Sequence, residues 1–427
     1  MIIPKPTTGD SSWFTQARFG LFIHWGLYAL PARHEWVKNI EEIPDERYQV
    51  YFENFNPTRY DPQEWARTAW EAGMRYVVIT SKHHEGFCLW DSQYTDYKVT
   101  NTPYGKDLLK PFVAAFRAQG FRIGFYYSLI DWHHPDFTID GVHPQRNRPD
   151  VAELNQGRDM KRYAEYIRNQ VGELLTKFGK IDVLWCDFSY PDRSYKGLPG
   201  KGREDWESEK LVRLVRQLQP DILLDDRLDL PEAADIHTPE QWQPTEWVKV
   251  DGQPVVWEAC QTFSGSWGYH RDEESWKSPG QLIRMLVNTV SCGGNLLMNV
   301  GPTPLGLWDY RALNALAVYR DWMALHSASI YGCTQSDYKA PPDCRLTQKG
   351  DKVYVHVFAW PFRYLLLEGL GDKVRFARFL HDGSEVRMND IPEWQASRMG
   401  ISGSSLVLTL PVKQPNVVVP VIELALK

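Results

Sequence analysis

Histidines, carboxylates and tryptophans recur in this chain directly after short apolar runs. FGLFI ends in His24-Trp25-Gly26, YVVIT in Ser81-Lys82-His83-His84-Glu85, and FRIGF in Tyr126-Tyr127-Ser128, followed by Asp131-Trp132. IDVL ends in Trp185-Cys186-Asp187, DILL in Asp225-Asp226-Arg227 and PVV in Trp257-Glu258. Singly, a histidine after a strand is most often structural and an aspartate there a helix cap. Six runs agreeing point to one shared site. Carboxylates and aromatic rings, with neither a cysteine–histidine motif nor a phosphate-binding glycine loop, match hydrolysis of a glycosidic bond: one carboxylate attacks the anomeric carbon, while a protonated one donates to the leaving oxygen. Asp187 suits the attacking role, because the apolar run before it makes a rigid carrier. A nearby arginine favours its ionised form, and Arg227 is the candidate.

Bringing those run ends together requires parallel strands. Strands are expected at 19–25, 75–80, 121–127, 181–187, 221–226, 254–258 and 295–300, separated by segments of helical period. Asp61, Pro62 and Glu64 mark a helix start and Gly73 its end; DLLKPFVAAFRAQG repeats the scheme and closes at Gly120. Further helices are expected near 158–178, 204–218, 278–291 and 307–327. The fold class is α/β: a distorted (β/α)8, TIM-like barrel whose missing or irregular strand lies within 228–250. Beyond about 335, segments such as VYVHVFAW, YLLLEGL, VRFARFL and SSLVLTL read as antiparallel strands. The expected domains are a barrel over 1–335 and a C-terminal β-sandwich over 336–427.

The 427 residues allow two to three domains. Hydrophobic residues at 43% and charged residues at 24% are those of a folded soluble protein. A net charge of −6 gives no electrostatic reason to expect a nucleic-acid partner. No apolar stretch approaches the ~20 residues of a membrane helix, so no membrane partner is expected. The opening MIIPKPTTGDSSWF lacks the apolar core of a signal peptide, which makes the cytoplasm the expected location. Six cysteines, none in a C-x-x-C pair, read as reduced and mostly buried thiols. The 18 Trp, 21 Tyr and 18 Phe point weakly to carbohydrate, whose C–H faces pack on flat rings.

The segments WFTQARFGLFIHWGLYAL, RYVVITSKHHEGFCLWDSQYTDY, FRIGFYYSLIDWHHPDF, IDVLWCDFSY, DDR followed by HTPE, VVWEACQTFSGSWGY and CGGNLLMNVGPTPLG span roughly residues 12 to 306. In them the chain resembles the α-L-fucosidases of glycoside hydrolase family 29, with KHHEGFCLWDS the most specific stretch. The resemblance implies a retaining exo-hydrolase of terminal α-L-fucose built from a barrel and a β-sandwich. By that likeness Asp187 is the nucleophile, and His24, Glu35, Trp36, His83, His84, Tyr126, Trp185 and Arg227 line the fucose subsite. The sugar's methyl group calls for an apolar wall and its hydroxyls for His, Glu and Arg partners. The general acid is Glu240 by its place in HTPE, with Glu258 as competitor, since burial beside Trp257 would raise its pKa. Many relatives carry Phe before the nucleophile and Gly after it. Cys186 and Phe188 stand there in this chain, so a differently shaped pocket floor is expected, and Cys186 itself reads as a packed small residue.

No cofactor and no metal is expected, and the partner is a fucosylated oligosaccharide or glycoside; a homo-oligomer is compatible with the sequence, which leaves oligomeric state open. One rival is a metal-dependent hydrolase using His24, His83, His84, His237 and Asp187, although the H-x-H of such sites is missing after the first run. Another is a sugar-binding protein without catalysis. Linkage preference is expected to depend on loops near 30–50, 136–155 and 190–205, the last a lid or a surface loop. His133 and His134 read as loop structure or cleft rim.

Overall fold

The computed structural model describes residues 2–391, 393–398 and 400–427. Its first three quarters are built on seven parallel strands: β1 (Phe19–Ile23), β2 (Tyr76–Lys82), β3 (Arg122–Ser128), β4 (Val183–Asp187), β5 (Leu223–Leu224), β6 (Glu258–Thr262) and β7 (Asn295–Val300). They lie in the order β6-β7-β1-β2-β3-β4-β5. The gap between β5 and β6 is closed by residues 236–240. Ile236 bridges to Asp225, His237 to Trp257 and Glu240 to Cys260, all in parallel sense. Ile236 N donates to Leu224 O (3.0 Å), and Cys260 N to Pro239 O (3.2 Å). Pro239 has no N–H, so a regular ladder cannot form there. This is the irregular eighth stave expected within 228–250. A single 3₁₀ turn (Pro231–Ala233) precedes it and a two-residue hairpin (Lys249–Val250 with Gln253–Pro254) follows it, in place of covering helices.

One strand assignment needs correction. The apolar run 254–258 was expected to be a strand ending at Glu258, whereas β6 begins at Glu258 and runs to Thr262. Pro254 belongs to the hairpin, and the pairing with β7 starts at Glu258 opposite Asn295. Apolarity alone did not reveal the register, because EACQT is buried throughout despite its polar residues.

Helices α1 (Pro62–Glu71), α2 (Leu109–Gln119), α3 (Met160–Lys177), α4 (Ser208–Leu218), α5 (Pro279–Ser291) and α6 (Tyr310–His326) surround the strands. Asp61 accepts from Gln63 N and Glu64 N at 3.0 Å each, with Pro62 in the first turn, and Gly120 at φ +101 ends α2. The helix expected over 204–218 is broken at Glu207, which sits at φ +48. Period-two alternation sorts the strand residues. Leu184 and Cys186 of β4 face the helices, while Val183 and Trp185 join Phe22, Tyr76, Tyr126, Cys260 and Leu297 in a separate cluster inside the barrel. Gly20 leaves space for the Tyr76 ring, which a Cβ would meet at 2.3 Å.

The C-terminal part holds two antiparallel sheets. One has five strands: β8 (Thr334–Gln335), β9 (Cys344–Lys349), β10 (Lys352–Val357), β12 (Val374–Phe379) and β15 (Val421–Leu426). The other joins β11 (Tyr364–Leu367), β13 (Arg387–Met388) and β14 (Leu406–Thr409). Leu346, Val355, Leu367, Phe379, Leu408 and Leu424 from both sheets share one core. The sheets touch the barrel half through Trp322, whose Nε1 donates to Val419 O (3.3 Å), and Arg18, whose Nε donates to Cys333 O (2.7 Å).

Candidate active site

The carboxyl ends of the strands surround a pocket lined by His24, Glu35, Trp36, His83, His84, Tyr126, Trp185, Asp187 and Glu240, together with Phe22, Phe188, Cys260 and Trp267. Its floor is set by register. Tyr126 of β3 lies beside Trp185 of β4, and Ser128 beside Asp187. The Tyr126 and Trp185 rings therefore stack (5.7 Å, 17°), and the Tyr126 hydroxyl donates to Asp187 Oδ2 at 2.8 Å.

The histidines are fixed through one ring nitrogen each where a partner exists. His24 Nδ1 meets Asn299 Oδ1 at 2.6 Å, and His84 Nδ1 meets Ser128 Oγ at 2.6 Å. His83 Nδ1 is buried without a hydrogen-bond partner. Burial pushes His24 and His84 down to about 3, and His83 well below the usual imidazole range. All three are neutral near pH 7, so that each ring offers one donor and one acceptor nitrogen. The β2 end that carries two of them is bolted down by a fully buried pair, Lys82 Nζ to Asp131 Oδ2 (3.1 Å), and by Glu85, which accepts from Leu27 N (2.7 Å) and the Tyr48 hydroxyl. Glu35 reaches the site from the loop after β1 and accepts from Gly268 N (2.9 Å) and Trp267 N (3.2 Å). Trp36 packs edge-on to His84 and Trp132.

Two carboxylates share one guanidinium. Arg227 Nη1 lies 3.5 Å from Asp187 Oδ1 and 3.2 Å from Glu240 Oε2, while Nη2 also donates to Glu240 at 3.1 Å. Arg227 is held over Trp185 (4.9 Å), and its Nε donates to Thr238 Oγ1 (2.9 Å), which in turn donates to Asp226 Oδ1 (2.6 Å). The DDR and HTPE segments are thus stitched together, which positions Glu240 although its stave is irregular. Burial raises Asp187 to about 7 against the opposing charge of Arg227. Glu240 has a side chain 42% exposed at the pocket mouth.

The family model described as Alpha-L-fucosidase matches residues 7–328. The chain belongs to the α-L-fucosidases of glycoside hydrolase family 29. The rat plasma α-L-fucosidase is 30% identical over 393 residues, covering 84% of this chain and 79% of that protein. The structure of α-L-fucosidase isoenzyme 1 from Paenibacillus thiaminolyticus is 44% identical, with a TM-score of 0.91 and 98% of both chains covered. A Bacteroides thetaiotaomicron family-29 fucosidase, trapped as a covalent intermediate with 2-fluoro-fucosyl fluoride, is 28% identical with a TM-score of 0.83, covering 100% of this chain and 98% of that one. This fucosidase is a retaining glycoside hydrolase.

Of the residues picked from the sequence, nine line the pocket and Arg227 joins two of them. Glu258 does not. It opens β6 at the amino end of the barrel, fully buried, where its oxygens accept from Trp185 Nε1 (3.0 Å) and the Tyr76 hydroxyl (2.7 Å). Burial does raise it, to about 7, but both oxygens are spent inside the barrel. Its assignment to a strand end had put it at the wrong end of the strand. The same register error hid Cys260, which is the pocket residue of β6. Phe22 is an inward position two before His24, so alternation along β1 was the signal for it; Trp267 had none beyond its place in SGSWGY. Cys186 points away from the pocket into the strand–helix layer, and Phe188 forms part of the wall.

Of the residues the metal-site rival needs, His24, His83, His84 and Asp187 share the pocket, whereas His237 is not among its lining residues. His237 Nδ1 faces Asp226 (3.3 Å), and among the described residues no group of three or more His, Cys, Asp or Glu is placed to hold an ion. His133 stacks on Tyr97 at 3.8 Å as part of the loop. The 190–202 segment is anchored at its base by Asp140, which pairs with Lys201 and accepts from the Tyr190 hydroxyl at 2.7 Å.

Proposed function

We propose that this enzyme releases terminal α-L-fucose by double displacement, with Asp187 as nucleophile and Glu240 as acid/base. The observation that carries the reading is the single guanidinium shared by Asp187 and Glu240 in an aromatic, one-sugar pocket. A nitrogen touching both carboxylates caps their separation near the lower edge of the about 6.5–9.5 Å that inverting hydrolases use and is compatible with the about 5–5.5 Å of retaining ones. Arg227 holds Asp187 ready to ionise and Tyr126 orients the oxygen it donates to, so that the other oxygen attacks C1. Glu240, open to solvent, donates its proton to the leaving oxygen and then takes one from the water that frees fucose with retained configuration. Neutral His24, His83 and His84, with Glu35, meet the ring hydroxyls, while Phe22, Cys260 and Trp267 supply the apolar wall for the methyl group.

The test is covalent trapping with 2-deoxy-2-fluoro-fucosyl fluoride followed by peptide mapping. The label is expected on Asp187. A label elsewhere, or none while the enzyme still turns over fucosides, rejects the assignment. A cytoplasmic location is part of the proposal, supported by six buried cysteines that are all unpaired; cell fractionation checks it.

A further inference from the structure

We infer that Trp242 is the platform for the leaving group's first sugar ring, making fucosylated oligosaccharides, rather than fucosides of small alcohols, the substrates this enzyme handles best. The inference rests on Glu240 as acid/base. A proton donor must touch the leaving oxygen, so the ring attached to that oxygen begins at the Glu240 carboxyl group. Two residues of chain span at most about 7 Å, which puts Trp242 within reach of that ring.

The indole is 61% exposed, unusual for the most amphipathic of large side chains, and no aromatic partner stacks on it among the described residues. Its backbone is nevertheless fixed. Gln241 takes the left-handed backbone conformation at φ +51 while its N–H donates to Cys260 O at 3.0 Å. Trp242 O accepts from Gln261 Nε2 (3.2 Å), and Gln243 Nε2 donates to Thr289 Oγ1 (3.3 Å). A flat apolar face on an anchored loop beside the proton donor is pre-organised for the C–H face of a pyranose, and ordering it on binding costs little.

The experiment compares Trp242→Ala and Trp242→Phe with wild type on two substrates. One is α-L-fucosyl fluoride, whose leaving group has no ring; the other is a fucosylated trisaccharide. For Trp242→Ala, kcat/KM on the trisaccharide is expected to fall about ten-fold, mainly through KM, with fluoride turnover unchanged and Trp242→Phe recovering most of the loss. Equal losses on both substrates, or no loss on the trisaccharide, overturn the platform. If wild-type enzyme cleaves neither substrate, the function proposed above falls, and the platform with it.

Discussion

The two carboxylates of the site sit on opposite kinds of scaffold. Asp187 ends β4, a strand paired on both sides, with its side chain only 13% exposed and its acidity set by desolvation against one arginine. Glu240 ends a stave with three isolated bridges and a proline, held by side-chain hydrogen bonds from Arg227, and is exposed. A nucleophile must meet one carbon at a fixed point, which favours the rigid strand. A group that gives a proton, then takes one from incoming water, needs solvent at its side.

Removing the buried partner gives the largest effect. Asp187→Gly is expected to lower kcat with 4-nitrophenyl α-L-fucoside by about ten-thousand-fold, with azide restoring turnover by forming a fucosyl azide. Undiminished activity breaks the comparison outright. Glu240→Gln is expected to cost about 10²–10⁴-fold on natural glycosides but much less on substrates with good leaving groups, read as a steeper dependence of rate on leaving-group pKa. The pH profile sharpens the role of the shared arginine. Asp187 attacks only when ionised and lies at about 7, so kcat/KM is expected to fall as pH drops below that value. Arg227 lowers the Asp187 pKa, so in Arg227→Met the acid limb moves to higher pH; a limb that stays in place excludes Asp187 as the group titrating there. The smallest effect is expected for Glu258→Gln, under about ten-fold in kcat with no change in leaving-group dependence, because a group inside the barrel reaches the pocket only through its bond to Trp185.

Much of the barrel was legible because buried parallel strands are continuous apolar runs, and β1 to β4 each end where polar chemistry begins. Asp187 and the histidines follow directly from that. The DILL and PVVW runs misled in length and register, since β5 pairs over two residues and β6 owes its place to EACQT, a sequence with no strand-like pattern. The closing stave carries no hydrophobic period at all: Thr238 and Glu240 are placed by side-chain bonds to Asp226 and Arg227, which no window along the chain records. In the C-terminal sheets, CRLTQK was overlooked for the same reason, its Thr347 and Gln348 lying buried in β9.

The stave without a helical jacket separates two kinds of change. In the proposed reaction, what grips the departing fucose hangs from β1 to β4 and from β6, whereas what greets the rest of the glycan hangs from 236–243, a stretch whose loss of regularity the barrel already tolerates. Descendants of such a chain are free to lengthen or swap that one flank, and so acquire new glycan partners, while the monosaccharide they recognise stays the same.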